Sequence, residues 1–95
     1  MFQRILTGNV TELVAGNSEG TGIAVIIDSG ATFEGATLDI RWRQKGSSGA
    51  FASLDNTLVA GDQQSYLIGP NLEIAVSVTG AGSPAPNIPI FINRL

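Results

Sequence analysis

Ala36-Thr37-Leu38-Asp39-Ile40-Arg41-Trp42-Arg43-Gln44 alternates without a break, with Leu38, Ile40 and Trp42 on one side and Asp39, Arg41 and Arg43 on the other. Successive side chains of an extended chain point to opposite faces, so this period of two describes a strand with one face in a core and the other in water. Trp42 shares its side with Leu38 and Ile40 and is expected in that core. Leu72 to Thr79 repeats the pattern, with Leu72, Ile74, Val76 and Val78 together on one face. Near the end, Ile88, Ile90 and Ile92 alternate with Pro89, Phe91 and Asn93. Proline has no N–H for a ladder, so this strand is expected at a sheet edge, or with Pro89 on an unpaired side.

Thr21 to Asp28 differs, because Ile23-Ala24-Val25-Ile26-Ile27 is apolar on both faces. Such a strand either lies centrally under the domain's own loops or turns one face to another chain. Weaker strand patterns run over Phe2 to Leu6, Val10 to Val14, Phe51 to Leu54 and Ser65 to Ile68. Glycine-rich and proline-rich stretches separate the strands, among them Gly16 to Gly20, Ser29-Gly30, Lys45 to Gly49, Gly61-Asp62, Gly69-Pro70-Asn71 and Gly80 to Pro86. No window keeps a helical period, and β-branched residues fill the strongest segments. The expectation is an all-β fold: one antiparallel β-sandwich over residues 1–95, with about seven or eight short strands in jelly-roll or immunoglobulin-like topology. Neither an internal repeat nor a linker divides the chain.

Composition narrows the function. With 43% hydrophobic and 14% charged residues, the chain is too apolar for a disordered segment and too polar for a membrane protein. The opening Met1-Phe2-Gln3-Arg4-Ile5-Leu6 meets Thr7-Gly8-Asn9 before a signal-peptide core forms, which predicts synthesis and retention in the cytoplasm. Acidic residues interrupt every apolar stretch, so no membrane association is expected. A net charge of −3 disfavours nucleic-acid binding, since a phosphate backbone is repelled.

Histidine and cysteine are both absent. The usual neutral-pH base, the thiol nucleophile, the disulfide and most transition-metal sites go with them. Asp28, Glu34, Asp39, Asp55 and Asp62 supply carboxylates, but nothing in their spacing demands a glycosidase-like pair, and solvated turn acids are the simpler reading. Asp28-Ser29-Gly30, and Asp55-Asn56 with Asp62, lack the ordered ligand spacing of a calcium loop. Gly16-Asn17-Ser18-Glu19-Gly20-Thr21-Gly22 lacks a phosphate loop's lysine and leads into a strand. The expectation is no catalytic residue, no metal and no cofactor.

Interaction residues remain. Arg41, Arg43 and Lys45 alternate and so share one strand face, a basic stripe able to dock an acidic surface or an anionic sugar, or one neutralised across strands by acids such as Glu73. Phe51, Tyr66 and Phe91 complete the candidate surface. Phe51 and Tyr66 lie in weaker segments, where exposed rings would suit a carbohydrate-binding or receptor-binding module.

Leu6-Thr7-Gly8-Asn9-Val10-Thr11, Phe33-Glu34-Gly35-Ala36-Thr37-Leu38, Ile74-Ala75-Val76-Ser77-Val78-Thr79-Gly80 and Ile92-Asn93-Arg94-Leu95 together resemble, in their order, the small β-sandwich virion accessory proteins of tailed bacteriophages. The likeness spans most of the chain, including the Ser83-Pro84 loop. Lys45-Gly46-Ser47-Ser48-Gly49 departs from it, standing where a Pro-Asp-Gly turn is expected. The resemblance implies a capsid decoration or cement protein located in the virion, with the major capsid protein as partner. It carries over no site residues. An exposed strand such as Ile88 to Leu95, or the two-sided strand from Thr21 to Asp28, further suggests a homo-oligomer, a dimer or trimer. The alternative is a carbohydrate-binding or receptor-binding module of a phage fibre or tail.

Overall fold

Eight strands form in the computed structural model, which describes residues 2–17, 22–67 and 69–94. They are β1 Phe2–Leu6, β2 Val10–Asn17, β3 Gly22–Ile27, β4 Thr37–Gln44, β5 Ala52–Asp55, β6 Gln63–Leu67, β7 Leu72–Thr79 and β8 Ile88–Arg94. No helix occurs among the described residues. The expected turn at Gly16 to Gly20 instead begins within β2, and its residues 18–20, like Thr21, Ile68 and Leu95 of the expected strands, lie outside the described residues.

Two antiparallel four-stranded sheets form, in the orders β1-β8-β3-β6 and β2-β7-β4-β5. The pairings have a simple logic. β1 pairs with β8, β2 with β7, β3 with β6 and β4 with β5, as in one long hairpin closed at the β4–β5 turn. Rolling that hairpin puts alternate pairs into opposite sheets and adds the contacts β3–β8 and β4–β7. This connectivity is a jelly roll. Of the two topologies that the strand count allows, the pairing selects it.

Both inner faces are aliphatic and nearly sealed. Ile23, Val25, Ile27, Ile88 and Ile90 from one sheet meet Leu38, Ile40, Ile74, Val76 and Val78 from the other, all within 2% of complete burial. These are the alternating residues of the strong strand patterns. Leu58, from the β5–β6 connection, joins the same core.

β8 is an interior strand, between β1 and β3, not an edge. Pro89 is accommodated because it sits where β3 ends. Its carbonyl accepts from the Asp28 N–H at 3.0 Å, so its missing donor faces the Asp28 carbonyl. That carbonyl accepts instead from the Ala31 N–H, at 3.0 Å. β2 runs three residues further than the expected Val14, with a bulge between Leu13 and Ala15 that interrupts an exposed edge.

Entry into β4 is made by a tight turn in which the Ala36 N–H donates to the Phe33 carbonyl at 2.8 Å. Glu34 and Gly35 both take positive φ, 51° and 83°. Glycine meets that demand without strain, and Glu34 meets it at a cost.

Candidate functional site

The basic stripe lies on the outer face of β2-β7-β4-β5, as alternation requires, but both of its arginines are paired with acids. Arg43 stands opposite Glu73 in register, and Nε donates to Glu73 Oε2 at 2.7 Å. Its guanidinium carbon lies 4.3 Å from the centroid of the Phe51 ring, and Nη1 donates to the Gly49 carbonyl at 3.2 Å. The Arg43 hydrogen bond, more than the nearby Lys45 charge, holds the Glu73 carboxyl below its ordinary range. Arg41 pairs along its own strand, Nη2 donating to Asp39 Oδ2 at 3.0 Å. Asp39 Oδ1 and Arg41 Nε are buried and find no hydrogen-bond partner among the described residues. Lys45 follows the end of β4, and its backbone N–H donates to the Asn71 carbonyl at 2.6 Å. This face is a mosaic of both signs. Cross-strand neutralisation by Glu73 is the reading of the stripe that the geometry supports.

Tyr66 belongs to the inner side of edge strand β6, where Ile23 is its partner in register. Its hydroxyl donates to Asp55 Oδ2 at 2.7 Å, and Asp55 Oδ1 accepts from the Thr57 N–H and hydroxyl at 3.1 and 2.8 Å. Burial first, then the Asp55 hydrogen bond and charge, push the Tyr66 phenol well above its ordinary range. The bond from Tyr66, then those from Thr57, hold Asp55 low. Phe91 lies on the outer face of the other sheet, beside Ile26. The sequence candidates therefore separate into the Arg41, Arg43, Lys45 and Phe51 face, the Tyr66 edge and the Phe91 face.

Acidic side chains serve local structure. Asp28 Oδ2 accepts from the Gly30 N–H at 2.8 Å, Asp62 Oδ2 from the Val59 N–H at 2.9 Å, and Glu12 Oε1 from Arg4 Nε at 2.7 Å. Among the described residues, no cluster of three or more acids is placed to hold a metal. Asp28, Asp55 and Asp62, considered above as calcium ligands, each accept from a backbone N–H two or three residues away, as turn-forming acids do.

Sequence reasoning missed an apolar surface hollow. Trp42, Leu54, Leu67, Leu72 and Ile74 line a hollow of ≈ 380 Å³ with no polar side chain among them. Trp42 is 39% exposed, Leu54 47% and Leu67 86%. This corrects the expectation that Trp42 is a core residue. It keeps the parity of Leu38 and Ile40, but it lies toward the end of β4, where its ring forms the wall of a surface hollow. A usable signal was present: Trp42, Leu54 and Leu67 each stand within three residues of a strand end.

Comparison with protein-family models, curated proteins and solved structures found no match to this chain.

Proposed function

We propose that this chain is a non-catalytic structural protein of a tailed-bacteriophage virion, a decoration or cement protein that binds and stabilises the assembled head. Its partner in this reading is the major capsid protein, and its location is the virion after synthesis in the host cytoplasm. The hollow walled by Trp42, Leu54 and Leu67 carries the proposal. An open apolar recess with a tryptophan wall and an 86% exposed leucine suits an anchoring side chain from a protein shell. Burying each such side chain is worth about 1.5–3 kcal/mol, and tryptophan commonly dominates interfaces of this kind.

Two other features support the reading. The motif order resembles virion accessory proteins, and double-sheet jelly rolls recur among viral capsid domains, a likeness at the level of fold. Ligation to the assembled shell stabilises it by mass action and needs no chemistry. The carboxylates of Asp28, Asp39, Asp55 and Asp62 are committed to turns, an ion pair and the Tyr66 bond, which favours a binding role over hydrolysis. The fibre or tail alternative rested on Phe51 and Tyr66. Arg43 lies over the first, and Asp55 engages the hydroxyl of the second.

The test is mass spectrometry of purified particles, followed by electron microscopy to place the chain. Regular density on the head is the expected result. Density at a fibre or tail tip, or absence from particles, would overturn the proposal.

A further inference from the structure

The outer face of β1-β8-β3-β6 differs in kind from the opposite face. Inward parity on these strands belongs to Leu6, Ile23, Val25, Ile27, Ile88, Ile90 and Ile92, so the intervening residues point outward. Ile26 and Phe91 are register partners at the centre of that outer face. Gln3 on β1 stands opposite Phe91, and Gln63 on β6 opposite Ile26, so one row runs Gln3, Phe91, Ile26, Gln63 across all four strands. Ile5 and Pro89 form a second paired row beside it. Among the described residues, no outward-facing side chain of these four strands is charged. Asp28, just past β3, turns its carboxylate onto the Gly30 N–H. The opposite face carries Asp39, Arg41, Arg43 and Glu73.

We propose that a second copy of this chain covers this face, forming a two-fold dimer that packs sheet on sheet through Ile26 and Phe91. Three observations choose a second copy as the occupant. Copies of a chain with net charge −3 repel one another, and an uncharged face is where they approach at least cost. A charged partner would find no opposite charge there. A two-fold interface sets a patch against itself, and Gln3 and Gln63 suit this because an amide both donates and accepts. The size of the molecule also permits it: principal extents of 39 and 26 Å cap a broad face at about 1,000 Å², above the about 800 Å² per partner of a standard stable interface. The inference stands apart from the virion reading, since it concerns the Ile26–Phe91 row and not the hollow walled by Trp42, Leu54 and Leu67, and it requires no shell.

Sedimentation velocity of the isolated chain over a wide concentration range tests it. The expected result is a monomer–dimer equilibrium. Phe91→Lys should weaken it by roughly thirtyfold or more, as loss of a central interface anchor does. Gln63→Lys, at an exposed site where folding is secure, should weaken it as well. Ser53→Lys adds the same charge to the opposite sheet and should leave the equilibrium unchanged. A wild-type chain that stays monomeric, one that forms trimers, or a dimer indifferent to both face substitutions would overturn the proposal. So would a dimer lost on Ser53→Lys. Head binding measured separately with the same variants keeps failure of this inference distinct from failure of the virion reading.

Discussion

Tyr66 reaches across the gap between the two sheets and donates its hydroxyl to Asp55 at 2.7 Å, joining edge strand β6 of one to edge strand β5 of the other. Arg4 of β1 and Glu12 of β2 form the matching tie on the other side, also at 2.7 Å. The rolled sandwich is thus held at both open edges by polar bonds and between them by aliphatic packing. The two ties differ in worth. The Arg4–Glu12 pair is well exposed and screened, whereas the phenol is half-buried and bonds to an ionised acid.

Removing the phenolic oxygen alone isolates the first tie. Tyr66→Phe keeps the ring and should cost about 1.5–3 kcal/mol, the usual net worth of a hydrogen bond to a charged group. Urea denaturation followed by Trp42 fluorescence measures it.

The same pair predicts loss of stability at both ends of the pH scale. Asp55 is held below its unfolded value, so its contribution is present above the ordinary carboxylate pKa near 4 and is lost as acid protonates the folded form. Tyr66 is held above its unfolded value, so its contribution is present below the ordinary phenol pKa near 10 and is lost as pH rises past that point. Melting temperature against pH should therefore fall at both extremes. In Tyr66→Phe both declines should be shallower, and an unaltered profile would show that the bond does not form in solution.

Leu67→Asp tests the apolar hollow without disturbing the fold. With the side chain 86% exposed, stability should change by no more than about 0.5 kcal/mol. Binding to assembled heads lacking this protein should fall at least tenfold, because a charge would enter the apolar contact. Cosedimentation of variant and wild type with such heads reads the difference.

Ile90→Ala probes the core shared by both sheets. Ile90 is fully buried, and truncation should cost about 2–5 kcal/mol through lost transfer energy and the cavity left behind. Against the roughly 5–15 kcal/mol total of a typical domain, that is a large fraction. Thermal unfolding by circular dichroism should show a correspondingly lowered midpoint.

Gly80→Ala separates backbone strain from crowding. Gly80 adopts a φ of +75°, while an added Cβ would come no closer than 3.6 Å to its neighbours, an ordinary contact. The expected cost is about 1 kcal/mol, from the left-handed conformation alone. A cost of several kcal/mol by chemical denaturation would mean that the turn is packed more tightly than this.

Leu72 to Thr79 was readable to the residue, because an alternating run between Gly69-Pro70-Asn71 and Gly80 leaves a strand no freedom in its limits. β3, β4 and β8 were nearly as plain. β6 was displaced, since Gln63-Gln64-Ser65-Tyr66-Leu67 has almost no apolar signal and owes its extended form to pairing with β3. The candidate residues were harder to read. Arg43 and Glu73 were foreseeable neighbours once two strands of the same sheet were suspected. Tyr66 and Asp55 belong to different sheets, and no local pattern brings them together.

The sequence by itself determined that the chain is a succession of short strands, which residues of the strongest ones share a face, and that His and Cys chemistry is absent, because side-chain alternation and residue type are local properties. Tertiary structure alone decided that β1 closes against β8, that β8 accepts Pro89 as an interior strand, and that Trp42 leaves the core for an open hollow. Those outcomes depend on which distant strands roll against one another and where one sheet stops covering the other. Such long-range pairing is a property of the folded whole.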